Sequence, residues 1–175
     1  MSYINKTMLS KTTQKFLDAN KIKYEVIEHK TVYTAFDKAA TLRAKPQEVG
    51  KTVVVCFDGK DYALGLIPSN KNLDKKKVLA TFNKLRQKAK EKNYKKIDFA
   101  KEQWMKKNFK DIKLGATPPF SVLYKLPFFI DNALTKSSKI IINSGGYKIS
   151  IKLSPASLIK LDPNAIKGSF SMAKK

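Results

Sequence analysis

Six consecutive residues at positions 52–57, TVVVCF, are the feature that most constrains the fold of this chain. A run of β-branched and aromatic residues favours a strand buried in a sheet. The run ends at Asp58-Gly59, a dipeptide typical of a tight turn, and a second apolar run follows at 61–67. The pattern predicts an antiparallel hairpin with strands at 52–57 and 61–67.

The triplet Gly50-Lys51-Thr52, directly before this hairpin, resembles the end of a phosphate-binding P-loop. A P-loop also needs a glycine five residues before its Gly-Lys pair, and a helix directly after it. Here Lys45 stands at the glycine position and a strand follows the triplet. The sequence therefore excludes a P-loop and leaves Lys51 as a charge at the start of a strand.

The remaining patterns alternate short helices with short strands. Helices are predicted at 10–19, 34–42, 74–90, 98–109 and 154–161, and strands at 23–28, 126–131, 139–144 and 148–153. Asp98 is expected to cap the fourth helix, with Phe99, Trp104, Met105 and Phe109 buried along it. Paired strands interspersed with helices indicate an α/β protein of the α+β type, with a mixed, largely antiparallel sheet. Residues 1–175 are expected to form one domain, with its core at about 10–162 and a loose tail at 163–175.

The net charge of +22 indicates an anionic partner. Half of it lies in residues 71–113, which hold 16 Lys and Arg against 5 Asp and Glu. Only Arg43 and Arg86 are arginines, which favours contact with a nucleic-acid backbone over the bidentate reading of bases. A lysine-rich composition also follows from codon bias in an AT-rich genome, so the basic helices have a second explanation as solvated faces.

Single copies of cysteine and histidine exclude several kinds of site. Cys56 excludes an internal disulfide and a cysteine metal cluster, and its apolar strand predicts a buried, unreactive thiol. With His29 as the sole histidine, a histidine-rich metal site is excluded, and neither a metal nor a cofactor is expected. The N-terminal residues lack a secretory core and no apolar run could span a bilayer, so a cytoplasmic protein without membrane contact is expected.

Several short motifs in one order carry a resemblance to a known family. They are His29, Thr34 and Ala39-Ala40; V-x-K-T-V-V-V at 49–55; Asp58-Gly59; G-x-x-x-P-F at 115–120; L-P-x-x-I-D at 126–131; and S-G-G followed by I-x-L-S-P-x-x-L at 144–158. Together they resemble the YbaK/prolyl-tRNA synthetase-associated editing domains over roughly residues 10–162. Each motif alone is weak, whereas six in register are specific.

The resemblance implies a compact α/β fold with a barrel-like sheet, and hydrolysis of the ester that joins a wrong amino acid to tRNA. It implies catalytic roles for Lys51 and Gly115. Substrate contacts are then expected from His29, Thr34, Thr52, Ala116, Thr117, Pro118, Pro119, Ser144 and Gly145, and contacts with the tRNA backbone from Lys75, Lys76, Lys77 and Lys84. The expected protein is a free-standing, monomeric deacylase that acts in trans on the acceptor end of tRNA, with prolyl-tRNA synthetase as a further partner.

Cysteine or alanine on tRNA(Pro) are the first substrates that the resemblance suggests. Ile27, Ser150 and the short Tyr147-Lys148 stretch depart from the family pattern near the expected pocket, which leaves the amino acid open. Structural explanations stand beside the functional ones: a helix cap for Thr34, a turn for Ser144, and a hydrogen-bonded structural histidine for His29. The alternative functions are a tRNA-binding module of the same fold without catalysis, and a nucleic-acid binder unrelated to editing.

Overall fold

The structure is a computed structural model that describes residues 9–174. Its α-helices are α1 Lys11–Ala19, α2 Ala35–Thr41, α3 Lys75–Lys88, α4 Glu102–Asn108, α5 Ser121–Tyr124, α6 Asn132–Thr135 and α7 Pro155–Leu161. Its strands are β1 Glu25–Glu28, β2 Gly50–Phe57, β3 Asp61–Pro68, β4 Lys71–Leu73, β5 Ile97–Phe99, β6 Phe128–Asp131, β7 Ile140–Asn143, β8 Ile149–Leu153, β9 Ile166–Gly168 and β10 Ser171–Ala173. Residues 1–8 belong to the N-terminus that is predicted to lack a secretory signal, and residue 175 belongs to the predicted tail. Both lie outside the described residues.

The predicted hairpin is confirmed, because β2 and β3 pair antiparallel from Gly50 opposite Pro68 to Phe57 opposite Asp61. It forms the centre of a mixed sheet in the order β5-β2-β3-β6-β9, whose β3-β6 and β6-β9 pairs are parallel. A second sheet has the antiparallel order β1-β8-β7, and β4 pairs with β10. The mixed α/β class is confirmed, although these sheets do not close into a barrel within residues 9–174.

Side-chain caps begin several helices where the sequence places them. The oxygen atoms of Ser10, Thr34 and Ser154 accept hydrogen bonds from backbone N–H groups in the first turns of α1, α2 and α7. Such caps satisfy donors that a helix N-terminus otherwise leaves unpaired. Among the described residues no helix is long and apolar enough to cross a membrane.

The prediction of a helix beginning at Asp98 is wrong. Asp98 lies in β5 opposite Cys56 of β2, and the helix begins only at Glu102. The carboxylate of Asp58 explains the difference. It accepts hydrogen bonds from the N–H groups of residues 95 and 96 and so holds this segment extended beside β2. Phe99 is consequently 51% exposed rather than buried.

The C-terminal segment is ordered structure and not the loose tail that the sequence suggests. β9 pairs with β6, β10 pairs with β4, and the side chain of Phe170 is buried between these strands. The N–H of Phe170 donates to the carboxylate of Asp131 at 2.8 Å. Strand pairing with distant residues cannot be inferred from the segment's own composition.

Candidate active site

The loop around Gly115 is tied to the end of strand β7. The N–H of Gly145 donates to the carbonyl of Ala116 at 2.8 Å, and the N–H of Lys113 donates to the carbonyl of Gly145 at 2.9 Å. The side-chain amide of Asn143 approaches the carbonyl of Gly115 at 3.4 Å. Two of the predicted motifs, G-x-x-x-P-F and S-G-G, therefore meet in one place.

Gly115 offers a backbone donor to a ligand. Its φ of +81° is a conformation that favours glycine, and a Cβ built there would lie 3.2 Å from the carbonyl oxygen of Tyr33. The residue is exposed, and its N–H has no acceptor among residues 9–174. The hydroxyl of Tyr147 donates to the carbonyl of Leu114 and so orients the peptide plane that carries this N–H.

The rest of the loop supports Gly115 from below. Ala116, Thr117, Pro118 and Pro119 are all buried. Two consecutive prolines fix the backbone φ angles of this segment and limit its freedom. These four predicted substrate contacts therefore lie beneath the surface that Gly115 presents.

Ser144 and Gly145 line a cavity of about 420 Å³ between α1, the loop at 110–113 and the turn after β7. The buried hydroxyl of Ser144 donates to the carbonyl of Ile149 at 2.7 Å and so closes the turn between β7 and β8. Gly145 has a φ of +102° and is partly exposed. This hydrogen bond supports the interpretation of Ser144 as a turn-forming residue.

His29 and Thr34 flank the entrance to helix α2. The ring of His29 contacts the carbonyl of Lys30 through Nδ1 at 2.7 Å and the hydroxyl of Ser150 through Nε2 at 2.8 Å. A carbonyl can only accept, so Nδ1 carries a proton, and Nε2 pairs with the hydroxyl of Ser150. Both nitrogens are occupied, which favours the structural interpretation of His29. Thr34 is exposed, and its hydroxyl accepts from the N–H of Asp37.

Lys51 lies in a different cavity from Ser144 and Gly145. This cavity of about 760 Å³ is also lined by Lys75 and Lys76 at the start of α3, and by Phe99 and Met172. Partial burial, and secondly the charge of Lys174, lower the pKa of Lys51 below its usual range. Lys51 forms no salt bridge within residues 9–174. Asp74 also lines this cavity, but the three lysines outnumber it and leave net positive charge beside the exposed ring of Phe99.

The other predicted contacts lie away from this cavity. Thr52 points to the opposite face of β2, where its hydroxyl is buried without a hydrogen-bond partner among the described residues. Lys77 is exposed and its ammonium approaches the hydroxyl of Ser169 at 3.5 Å. Lys84 is exposed on helix α3. Of the four predicted phosphate contacts, Lys75 and Lys76 are the two that share a cavity with Lys51.

A parallel bridge links the region of Lys51 to that of Gly115. Val49, just before β2, pairs with Ile141 of β7. Lys51 and Asn143 both lie two residues beyond this bridge in the same direction, so each is about 7 Å along its strand. Asn143 contacts Gly115, whereas Lys51 lines the cavity that it shares with Lys75 and Lys76. The two regions are thus neighbours, although their cavities are separate.

One buried charge escaped the sequence analysis. Lys38 of α2 is only 3% exposed, and its ammonium donates to the side-chain oxygen of Asn143 at 2.7 Å. The sequence spacing could have predicted this burial, since Lys38 shares a helical face with Ala35 and Ala39, which are buried. No group of three His, Cys, Asp or Glu side chains that could hold a metal occurs in the described part of the chain.

Comparisons with known proteins decide the family. The profile of the aminoacyl-tRNA editing domain matches residues 29–161. The chain belongs to the aminoacyl-tRNA editing domain family. The match includes the lysine at the start of β2, the Gly115 loop and the turn after β7. A comparison with curated protein sequences finds no match.

Two solved structures share the fold of this editing domain. One is the hypothetical protein APE2540, with a TM-score of 0.75 and 18% identity over 93% of this chain and 100% of the other. Another is described as a candidate trans-editing enzyme for prolyl tRNA synthetase, with a TM-score of 0.68 and 18% identity over 94% and 99% of the two chains. At this level of identity the likeness concerns the fold alone.

Proposed function

We propose that this editing domain is an aminoacyl-tRNA deacylase that acts in trans. The observation that carries the proposal is the exposed N–H of Gly115, held by contacts to the end of β7, the strand that a parallel bridge links to the start of β2 and Lys51. An ester is already an activated acyl group, so its hydrolysis depends mainly on stabilising the charge that develops on the carbonyl oxygen. A fixed backbone donor meets that requirement.

In the proposed reaction, a water oxygen attacks the ester carbonyl carbon and the N–H of Gly115 stabilises the resulting oxyanion. The bond from this carbon to the ribose oxygen then breaks, and the proton released by the water ends on that ribose oxygen. The free hydroxyl of the terminal ribose serves as the proton relay. Lys51 binds the terminal phosphate, with Lys75 and Lys76 on the preceding backbone. Thr34 and Gly145 lie at the rim that faces the amino acid.

The proposed substrate is tRNA(Pro) that wrongly carries cysteine or alanine, and the proposed partner is prolyl-tRNA synthetase. One solved neighbour of the same fold is described as a candidate trans-editing enzyme for prolyl tRNA synthetase, which supports this choice. The pocket near Ser144 selects by size, which discriminates by about 1–3 kcal/mol per methylene. The protein would then act in the cytoplasm, as a monomer, where tRNA is charged.

The decisive experiment measures deacylation of cysteinyl-, alanyl- and seryl-tRNA(Pro), with prolyl-tRNA(Pro) as the cognate control. Lys51→Ala is expected to lower kcat/KM by about 100-fold or more, because it removes a cation placed at the reacting end of the substrate. Lys60→Ala, at the exposed opposite end of the β2–β3 hairpin, is the matched control and should retain activity.

Two outcomes would contradict the proposal. Wild-type protein that hydrolyses none of the mischarged species would leave only RNA binding, the function of a non-catalytic module. Full activity of Lys51→Ala would mean that the cavity of Lys51 takes no part in the reaction. Circular dichroism of both variants establishes that any loss of activity is not a loss of fold.

A further inference from the structure

Lys38 is a buried cation with one direct hydrogen-bond acceptor in the described structure. It lies on the inner face of α2 and donates to the side-chain oxygen of Asn143 at 2.7 Å. Burial lowers the pKa of Lys38 to about 8, and no salt bridge within residues 9–174 compensates its charge. Charged groups are rarely buried so completely without a carboxylate partner. Packing alone would be better served by an apolar side chain.

The partner of Lys38 is the residue that reaches the Gly115 loop. Asn143 is 3% exposed and ends strand β7. Its amide oxygen accepts from Lys38, which leaves its amide nitrogen directed at the carbonyl of Gly115, 3.4 Å away. The contact to Lys38 therefore selects the side-chain amide orientation in which a donor faces the loop.

The carbonyl of Gly115 belongs to the peptide plane that follows the proposed oxyanion donor. The N–H of this plane, from Ala116, donates to the carbonyl of Lys113 at 3.0 Å. The preceding plane is held by Tyr147 through the carbonyl of Leu114. The N–H of Gly115 lies in the preceding plane, and holding the following plane as well fixes both backbone torsions of Gly115 and so the orientation of this N–H relative to the loop. Glycine would otherwise rotate freely at this position.

We propose that Lys38 is a positioning residue: through Asn143, it holds the Gly115 loop in the orientation needed for ester hydrolysis. This inference rests on the proposed deacylase function. Lys38 itself does not contact the substrate. Its loss should lower kcat and leave KM nearly unchanged, since the phosphate contacts of the substrate lie in the Lys51 cavity.

The test compares Lys38→Met with Lys45→Met, which removes the same charge from an exposed lysine near the end of α2. We expect Lys38→Met to lower kcat by about 10- to 100-fold, with KM within about threefold of wild type. Asn143→Asp is the second variant, because a carboxylate still pairs with Lys38 but no longer donates to Gly115. It should keep the fold and lose kcat to a similar extent.

The double variant Lys38→Met/Asn143→Asp tests whether Lys38 acts through Asn143 or whether the two residues affect kcat independently. If Lys38 acts through Asn143, the double variant should be no slower than the slower single variant. Multiplied losses, a change in KM alone, or full kcat in Asn143→Asp would each overturn the inference.

A readout that needs no turnover keeps this inference distinct from the proposed function. The amide resonance of Gly115 in ¹⁵N-labelled protein should shift in Lys38→Met and Asn143→Asp, and stay in place in Lys45→Met. If the wild-type protein lacked deacylase activity but the resonance shifted, the proposed function would fail and the structural link would stand. If wild type were active and neither variant changed kcat, the positioning role would fail alone.

Discussion

Replacing Lys38 by methionine should change how the stability of the protein depends on pH. The pKa of Lys38 falls from 10.5 to about 8 in the folded protein because the side chain is buried. Between these two values the unfolded chain binds one more proton than the folded chain, so the free energy of unfolding rises with pH. Below about pH 8 both states are charged, and this contribution to stability is at its lowest.

The magnitude follows from the shift in pKa. Each unit corresponds to about 1.4 kcal/mol, so the full difference between the charged and neutral limits is about 3 kcal/mol. Titration is incomplete at accessible pH values, which leaves an expected rise of about 2 kcal/mol between about pH 7.5 and about pH 10. This rise should occur in wild type and be missing from Lys38→Met.

Urea unfolding monitored by the fluorescence of Trp104 measures the effect, since this ring is partly buried and stacked on Tyr62. The informative quantity is the wild-type free energy of unfolding minus that of Lys38→Met, in which the titration of all other groups cancels. The same difference taken with Lys45→Met should not vary with pH. A wild-type minus Lys38→Met difference that changes by less than about 0.5 kcal/mol would refute the assignment of Lys38 as a buried ammonium.

Three further predictions concern the surface that the substrate meets. Lys174→Met should raise the pKa of Lys51, so the alkaline limb of the plot of kcat/KM against pH should move to higher pH. An alkaline limb that does not move would mean that the charges of Lys174 and Lys51 do not interact. Gly115→Ala should cost about 1–2 kcal/mol in urea unfolding and abolish deacylation, because alanine is strained at this positive φ and approaches the carbonyl of Tyr33. Lys75→Ala should reduce the slope of log affinity for tRNA against log salt concentration by about 0.7–1. An unchanged slope would place Lys75 outside the RNA contact.

Local chemistry made the central hairpin and the capped helices predictable. The β-branched run before Asp58-Gly59 has few alternatives to a buried strand, and Ser10 and Thr34 each precede a helix by one residue. The two errors in the chain path share one cause. The segment around Asp98 and the C-terminal residues around Phe170 become strands by pairing with β2, β4 and β6, which lie far away in sequence.

The candidate site was predictable only in part for the same reason. Motif order placed the Gly115 loop and Ser144 in one family pattern, and hydrogen bonds join these regions in the structure. The ring contacts of His29 and the inward orientation of Thr52 depend on neighbouring strands, so the sequence could not exclude either from the substrate surface. Lys174 and Met172 enter the Lys51 region only because β10 pairs with β4.

The two notable lysines of this domain differ in what their charge can do. Lys51 is half-buried, has no salt bridge within the described residues and shares its cavity with Lys75 and Lys76, so its field reaches an approaching polyanion. Lys38 is enclosed and hydrogen-bonded to Asn143, so its charge acts on the protein. Salt should therefore weaken substrate capture at the first lysine, because screening acts on exposed charges, and leave the rate of the bound substrate unchanged. A kcat that fell with salt as steeply as kcat/KM would mean that the reacting centre itself is held together by exposed charges.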